Sequence, residues 1–287
     1  MQIDCNAIFN DVFSNLIFSI GSFLIVLYST YCFIIKSRSK RLRFLQINKD
    51  LEISILPIFV AHLVIVKRGA LLANGTPSNH FEGSAVPLKE VNAARLIEKK
   101  LSSSILEIIP QKILSLLTKF SRGFIPLNII IDPAPLDVNK VKHFPRAILI
   151  GGPEFNKATE YFLERAKIFR ILEPGECDKP TISIKSRAGG EELITPDSPD
   201  QNLSIIERIS FDNGKQVIVL LSGVGTNGTL AAVDWFLKNW DKLNKKVKMQ
   251  DFGICLQCPK RSVDPDGYRL WTLRREYPEG ILTGNIF

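Results

Sequence analysis

The chain has 287 residues, a formal net charge of +8 and 45% hydrophobic residues, which is enough for one large domain or two small ones with a buried core. Such a positive charge is typical of nucleic-acid-binding proteins. Much of the excess positive charge, however, is concentrated in residues 36–49, which hold six of the 37 Lys and Arg residues and no acid. Nucleic acid is therefore not the expected partner. The five cysteines show no spacing typical of a disulfide framework.

The first predicted element is a transmembrane helix over residues 16–35, which contain no charged side chain. As a helix, these twenty residues would rise roughly 30 Å, the thickness of the hydrocarbon core of a bilayer. A cleaved signal peptide would carry its positive charge before the apolar run, whereas the charge here follows it. A buried helix of a globular core would show a polar stripe, which these residues lack. Both alternatives are therefore disfavoured.

Basic residues directly after this helix predict its orientation. The juxtamembrane segment, residues 36–50, begins with a cluster of basic side chains: Lys36, Arg38, Lys40, Arg41 and Arg43. Because Lys and Arg next to a span stay on the cytoplasmic side, we expect residues 1–15 outside the cell and a cytoplasmic domain over residues 51–287. The same side chains are expected to contact anionic lipid headgroups. The sequence thus predicts a single-pass protein of the cell membrane.

The first part of the cytoplasmic domain is predicted to contain one strand and two helices. The apolar run at residues 53–66 is too short to span a membrane comfortably and predicts a buried strand within 58–66, with a re-entrant membrane segment as the alternative. Glycine, proline and asparagine at residues 69–86 indicate a loop. Helical periodicity predicts a helix at 87–101 and a second at 104–120, where Pro110 would kink or split it.

The remainder of the domain alternates between strands and helices. Apolar β-branched runs predict strands at 125–131 and 147–150, followed by a helix at 156–168. Residues 173–202 are rich in Pro, Gly, Asp and Ser and are predicted to be a long surface loop with one strand at 181–184.

The C-terminal part is predicted to add two antiparallel strand pairs. Strands at 204–211 and 216–221 flank the hairpin signal Asp212-Asn213-Gly214, and a helix follows at 229–240. Two further strands are expected within 248–257 and 268–275. This alternation predicts an α/β fold: a Rossmann-like mixed sheet with helices on both faces.

A glycine loop between the 216–221 strand and the next helix is the most informative motif. The sequence Gly223-Val-Gly225-Thr-Asn-Gly228 fits G-x-G-x-x-G, and Thr229 opens the helix. Such a loop lets the backbone approach a phosphate, and the helix N-terminus stabilises the negative charge. A complete NAD-binding fold is disfavoured because the motif lies close to the end of the chain. A tight turn without a ligand is the structural alternative.

A second glycine loop follows the strand at 147–150. Gly151 and Gly152 end that strand, Pro153 fixes the backbone, and Asn156 can cap the next helix. Because both glycine loops leave a strand and open a helix, we expect them at the carboxyl edge of one parallel sheet, where ligands bind. The residues predicted to bind a phosphorylated or nucleotide-like ligand are Gly151, Gly152, Asn156, Gly223, Gly225, Thr226, Gly228 and Thr229.

Acids beside these loops are the candidates for chemistry. Asp132 and Glu154 could bind a ribose hydroxyl, or act as nucleophile or base, although such acids are more often turn residues or caps. Cys255 and Cys258 form a single C-x-x-C pair, too few ligands for structural zinc, so no metal is expected. Ser222 precedes the glycine loop but is not in a G-x-S-x-G context, which excludes a serine hydrolase of that type.

Three functions fit these features. The first, which we favour, is a membrane-tethered sensor or effector in signalling whose domain binds a nucleotide-like ligand. The second is a membrane-anchored enzyme acting at a nucleotide glycosidic or phosphate bond. The third is an interaction module whose glycine loops are only turns. A homo-oligomer is compatible with all three.

Overall fold

The computed structural model describes residues 13–26, 28–29, 32, 45, 55–61, 63–71, 77–85, 87–102, 128–135, 137–166, 168–172, 181–185, 191–247, 250–260 and 269–278. The basic residues at 36–43 and the helix predicted at 104–120 lie outside the described residues. In chain order the elements are α1 (residues 13–26), β1 (Ile55–Val60), β2 (Leu63–Leu71), β3 (Pro77–Ala85), α2 (Leu88–Ser102), β4 (Asn128–Pro133), α3 (Asn139–Lys142), β5 (Arg146–Ile150), α4 (Lys157–Glu164), β6 (Phe169–Leu172), β7 (Thr181–Lys185), β8 (Glu191–Ile194), β9 (Gln201–Phe211), β10 (Gln216–Gly223), α5 (Gly225–Lys246), β11 (Phe252–Pro259) and β12 (Thr272–Tyr277).

Helix α1 carries exposed apolar side chains. Phe18 is 75% exposed and Ile25 is 68% exposed, and the helical conformation recurs at residues 28–29 and 32. Within the described residues, no helix combines the length and the apolarity needed to cross a bilayer. The transmembrane helix over 16–35, part of which lies outside the described residues, therefore stays a prediction.

The centre of the domain is a seven-stranded mixed sheet, in the order β12-β11-β9-β10-β5-β1-β4. Strands β4, β1, β5 and β10 are parallel, whereas β9, β11 and β12 join by antiparallel pairing. The predicted hairpin between β9 and β10 is confirmed, with positive φ at Asp212, Asn213 and Gly214. The structure thus confirms a mixed α/β fold.

Side chains alternate between two cores on opposite faces of the sheet. On β10, Val219 and Leu221 join one core, in which α2 and α5 contribute Ile97 and Trp235. The intervening Ile218 and Leu220 join the other core with α4 and the small antiparallel sheet β6-β7-β8. Helices therefore cover both faces, and near-continuous apolar runs in the parallel strands follow from this double burial.

Strand β1 lies at a topological switch point. The chain leaves β1 and forms β4 on one side, and it then returns to form β5 on the other side. In open α/β sheets, such a reversal creates a crevice outside the carboxyl ends of the two strands. The ends of β1 and β5 therefore define the edge at which a ligand site is expected.

Two predictions in the first half of the domain were wrong. The strand expected at 58–66 ends at Val60, and residues 63–71 belong to a separate hairpin, β2 with β3, whose second strand occupies much of the loop predicted at 69–86. Apolar residues continue across Ala61, so hydrophobicity alone does not mark the break between the two strands.

Further corrections concern the segment 173–202 and two helices. The segment predicted as a long loop with one strand contains β7, which confirms the strand predicted at 181–184, and it also contains β8 and the start of β9, which were not predicted. Helix α4 ends at Glu164 rather than 168, because the chain enters β6 at Phe169. Helix α5 is longer than the predicted 229–240 and starts inside the glycine loop at Gly225.

Candidate functional site

The crevice between β1 and β5 requires glycine at position 151. Gly151 has a φ of +123°, and a Cβ there would lie 2.9 Å from the Cβ of Ala61 and 3.2 Å from Oε2 of Glu90. Its amide donates to Leu221 O at 3.1 Å, which ties the end of β5 to the end of β10. Gly151 thus allows the first turn of α2 to approach the ends of β1 and β5.

The structure brings the two predicted glycine loops together. A Cβ on Gly152 would lie 3.1 Å from the carbonyl oxygen of Gly223. Each loop leaves a parallel strand and leads into a helix, α4 after Gly152 and α5 after Gly223. The loops therefore meet at the carboxyl edge of the sheet.

Gly223 and Gly228 are explained by packing between strand and helix. A Cβ on Gly223 would come within 2.4 Å of the Gly228 carbonyl carbon, and one on Gly228 within 2.8 Å of Leu203 O. Neither position tolerates a side chain unless backbone moves. These two of the predicted ligand-binding glycines therefore let α5 start directly against β9 and β10.

Gly225 and Thr226 are the accessible residues of the loop. Both are exposed, Gly225 has a φ of +67°, and the nearest atom to a Cβ on Gly225 is Asn202 Nδ2 at 3.5 Å. The cap residue Val224 provides no side-chain acceptor for the amides that begin this 22-residue helix. The backbone amides of the first turn need acceptors, which an anion can supply.

Buried polar atoms lie beneath the glycine loop. Asn202 is 4% exposed and donates from Nδ2 to Val224 O at 2.8 Å, whereas its Oδ1 has no hydrogen-bond partner among the described residues. The buried Ser222 hydroxyl also has none within that part of the chain. Buried polar atoms are usually satisfied, so those without partners indicate a place where a bound molecule or water can supply them.

Asn156 and Thr229 are buried and form hydrogen bonds within the fold. Asn156 is fully buried, its Oδ1 accepts from Thr159 N at 3.0 Å, and its Nδ2 donates to Ile150 O at 3.0 Å and Phe59 O at 3.5 Å. It caps α4 as predicted and also joins the ends of β1 and β5. Thr229 is 1% exposed and its Oγ1 donates to Gly225 O within the helix.

The two acids predicted as chemical candidates are both exposed. Asp132 lies near the end of β4, and Glu154 lies in the turn that precedes α4. Among the residues described, neither forms an ion pair or a side-chain hydrogen bond. They are at the expected edge of the sheet, but they form no catalytic arrangement with each other.

Glu90, in the first turn of α2, is the acid at the crevice. Its side chain is buried, and Oε2 accepts a hydrogen bond from Ala61 N at 3.2 Å. Burial raises its pKa to about 7, while the hydrogen bond from Ala61 partly offsets this effect. In the sequence, Glu90 looks like an ordinary polar position of an amphipathic helix, and only its place in the first helical turn distinguishes it.

The C-x-x-C cysteines are inert core residues of β11. Cys255 and Cys258 are both buried, and burial raises the pKa of each thiol to about 12. A thiol becomes a nucleophile or a metal ligand through its thiolate, which this burial disfavours. No group of three or more His, Cys, Asp or Glu side chains able to hold a metal ion occurs in the described part of the chain.

Comparisons with protein-family models, with curated proteins and with solved structures found no match for this chain. The function is therefore inferred from the geometry of the site.

Proposed function

We propose that the α/β domain binds a phosphorylated, nucleotide-like small molecule at the carboxyl edge of its sheet. The observation that carries this proposal is the meeting of two glycine loops, Gly151-Gly152 and 223–228, beside a topological switch point. Switch points of open α/β sheets are where such proteins bind ligands. The domain would then belong to the Rossmann-like class in function as well as in layout.

The chemistry of the loop favours an anion with hydroxyl groups. The exposed first turn of α5 offers backbone amides and the positive end of the helix dipole to a phosphate. The Oδ1 of Asn202, to which no described residue donates, is an acceptor, and a sugar hydroxyl can supply the donor. A phosphorylated sugar or nucleotide supplies both kinds of group.

The anchor completes the proposal. Residues 16–35 would span the membrane, and the basic residues 36–43 would contact anionic lipid and hold the domain in the cytoplasm, where nucleotides are abundant. The exposed apolar side chains of α1 support this role, because a bilayer would cover them. A tethered domain of this kind suits a sensor or an effector in signalling.

A charge placed at Thr226 tests the site. Thr226→Glu adds a negative charge to the exposed first turn of α5, where the helix dipole tolerates an acid, so folding should be unaffected. Repulsion between this carboxylate and a bound phosphate should weaken binding about tenfold or more. Thr226→Gln is the matched control, with the size of the glutamate but without its charge, and should bind more tightly than Thr226→Glu.

Binding would be measured by calorimetric titration of the full chain in lipid nanodiscs with ATP, GTP, CTP, UTP and inorganic triphosphate. If none of these compounds binds the wild type, the proposed function is wrong; if Thr226→Glu binds as well as Thr226→Gln, the site is wrong. Chromatography of the nucleotides after incubation distinguishes binding from turnover, the enzymatic alternative.

A further inference from the structure

Glu90 lies on the same face of the sheet as the start of α5. Helix α2, which carries Glu90, packs with α5 in one core, where Ile97 joins Val233 and Trp235. A Cβ on Gly151 would lie 3.2 Å from Oε2 of Glu90, and a Cβ on Gly152 would lie 3.1 Å from the carbonyl oxygen of Gly223, which leads to Gly225. These close approaches connect the acid to the proposed phosphate site along one edge of the sheet.

The separation of these two points suits a nucleotide. Strands β1, β5 and β10 are consecutive in the sheet, and neighbouring strands lie about 4.8 Å apart. The end of β1, where Glu90 binds Ala61 N, is therefore two strand spacings, roughly 10 Å, from the end of β10. A ligand with its phosphate at α5 would place its sugar between the two glycine loops and Glu90.

The carboxyl of Glu90 retains hydrogen-bonding capacity. The one hydrogen bond to it among the described residues comes from Ala61 N, and no ion pair to it occurs within those residues. An ionised carboxylate can accept about four hydrogen bonds. A buried acid without a countercharge costs stability, and such groups concentrate at functional sites.

We propose that Glu90 binds the ribose hydroxyls of the nucleotide, which makes the ligand a ribonucleotide rather than a simple phosphate. This inference rests on the proposed function, since it assumes a phosphate at α5. The 2′- and 3′-hydroxyls are donors, and acidic side chains are the groups that nucleotide-binding folds use to bind ribose. Because burial raises the pKa of Glu90 to about 7, its carboxyl can accept from one hydroxyl and, when protonated, donate to the other.

The test compares Glu90→Gln with the wild type on three probes. These are the tightest-binding nucleoside triphosphate of the panel above, its 2′,3′-dideoxy analogue, and inorganic triphosphate. In Glu90→Gln, the side-chain oxygen can still accept from Ala61 N, so the local fold is retained. The variant should bind the ribonucleotide about ten- to a hundredfold more weakly, which is the effect of losing a hydrogen bond to a charged group, and should bind the other two probes unchanged.

Two further measurements keep the test decisive. Glu98→Gln, on the same helix about two turns further on, is the matched control and should bind all three probes like the wild type. The wild type should bind the 2′,3′-dideoxy analogue about tenfold or more weakly than the ribonucleotide. This comparison does not depend on the folding of any variant. Equal affinities of the wild type for the two nucleotides would overturn the inference, as would a loss in Glu90→Gln shared by all three probes. Either result would leave phosphate binding at α5 intact, whereas failure of the wild type to bind any probe would overturn the proposed function itself.

Discussion

Burial moves the pKa of the Glu90 carboxyl close to neutral pH. The Glu90 carboxyl has lost most of its contact with solvent, and the hydrogen bond from Ala61 N only partly restores the stability of its charged form. Its pKa therefore rises from 4.5 to about 7. Loss of the proton at higher pH leaves a carboxylate in an environment that solvates it poorly.

This displacement of the pKa predicts how stability depends on pH. The folded state holds the proton more tightly than the unfolded state, so the resulting stabilisation is complete below pH 4.5 and is lost as the pH rises through about 7. Over the whole range the loss amounts to about 3 kcal/mol. Glu90→Gln has no proton to lose, so the free energy of unfolding of the wild type should fall relative to the variant between pH 5 and pH 8.

Urea unfolding of the full chain in detergent micelles, followed by tryptophan fluorescence at pH 5, 6.5 and 8, measures this difference. The comparison at each pH cancels the contribution of the other titrating groups, because the wild type and Glu90→Gln share them. A constant difference between the wild type and Glu90→Gln across this range would show that Glu90 titrates at its ordinary pKa in the folded protein.

At the scale of elements, the unit formed by β10, its glycine turn and α5 requires glycine for two different reasons. Gly223 has no space for a side chain, since a Cβ there would come within 2.4 Å of backbone. Gly225 has space, but its φ of +67° is strained for other residues. The first glycine permits close packing of helix and strand, and the second permits the turn.

Alanine substitutions should distinguish these uses. Gly223→Ala must push α5 away from β10 and should lower the free energy of unfolding by about 3 kcal/mol. Gly225→Ala introduces only backbone strain and should lower the free energy of unfolding by about 1 kcal/mol. Thermal unfolding of the two variants beside the wild type checks this order, and a larger loss for Gly225→Ala would contradict the packing explanation.

The features that the sequence predicted well depend on interactions between residues close together in the chain. The apolar runs of β5 and β10, the Asp212–Gly214 hairpin and the Asn156 cap each depend on residues a few positions apart. Turn chemistry and side-chain periodicity act over that distance, so they can be read without the fold. The meeting of the two glycine loops also followed from a general rule on parallel sheets.

What the sequence did not predict depends on contacts between distant residues. The break after β1 and the short strand β8 depend on which partner strands pair with the neighbouring segments. The sequence predicts the helix cap of Asn156 but not the hydrogen bond that its Nδ2 donates to the carbonyl oxygen of Phe59, 97 positions away. Glu90 has the same polar character as Glu98, and only the approach of Ala61 and Gly151 makes it a crevice residue.

At the scale of the whole molecule, the proposed anchor is the feature with the largest consequence for function. Helix α1 exposes apolar side chains around its surface, among them Phe18, Phe23 and Ile25. In water such a surface is unfavourable by roughly 25 cal/mol for each Å² of apolar area, and a bilayer removes that cost. A tether would also restrict the domain to ligands present next to the membrane.

Charges introduced near the middle of residues 16–35 should abolish the anchor. An arginine at the centre of a spanning helix costs about 3 kcal/mol, so Leu24→Arg with Ile25→Arg should prevent insertion. Leu24→Ala with Ile25→Ala is the control, because the segment stays apolar and should still insert. After alkaline carbonate extraction of membranes, the wild type and the alanine variant should remain in the pellet and the arginine variant in the supernatant. Recovery of the wild type in the supernatant would rule out a membrane span, and the ligand site would then have to be understood in an untethered protein.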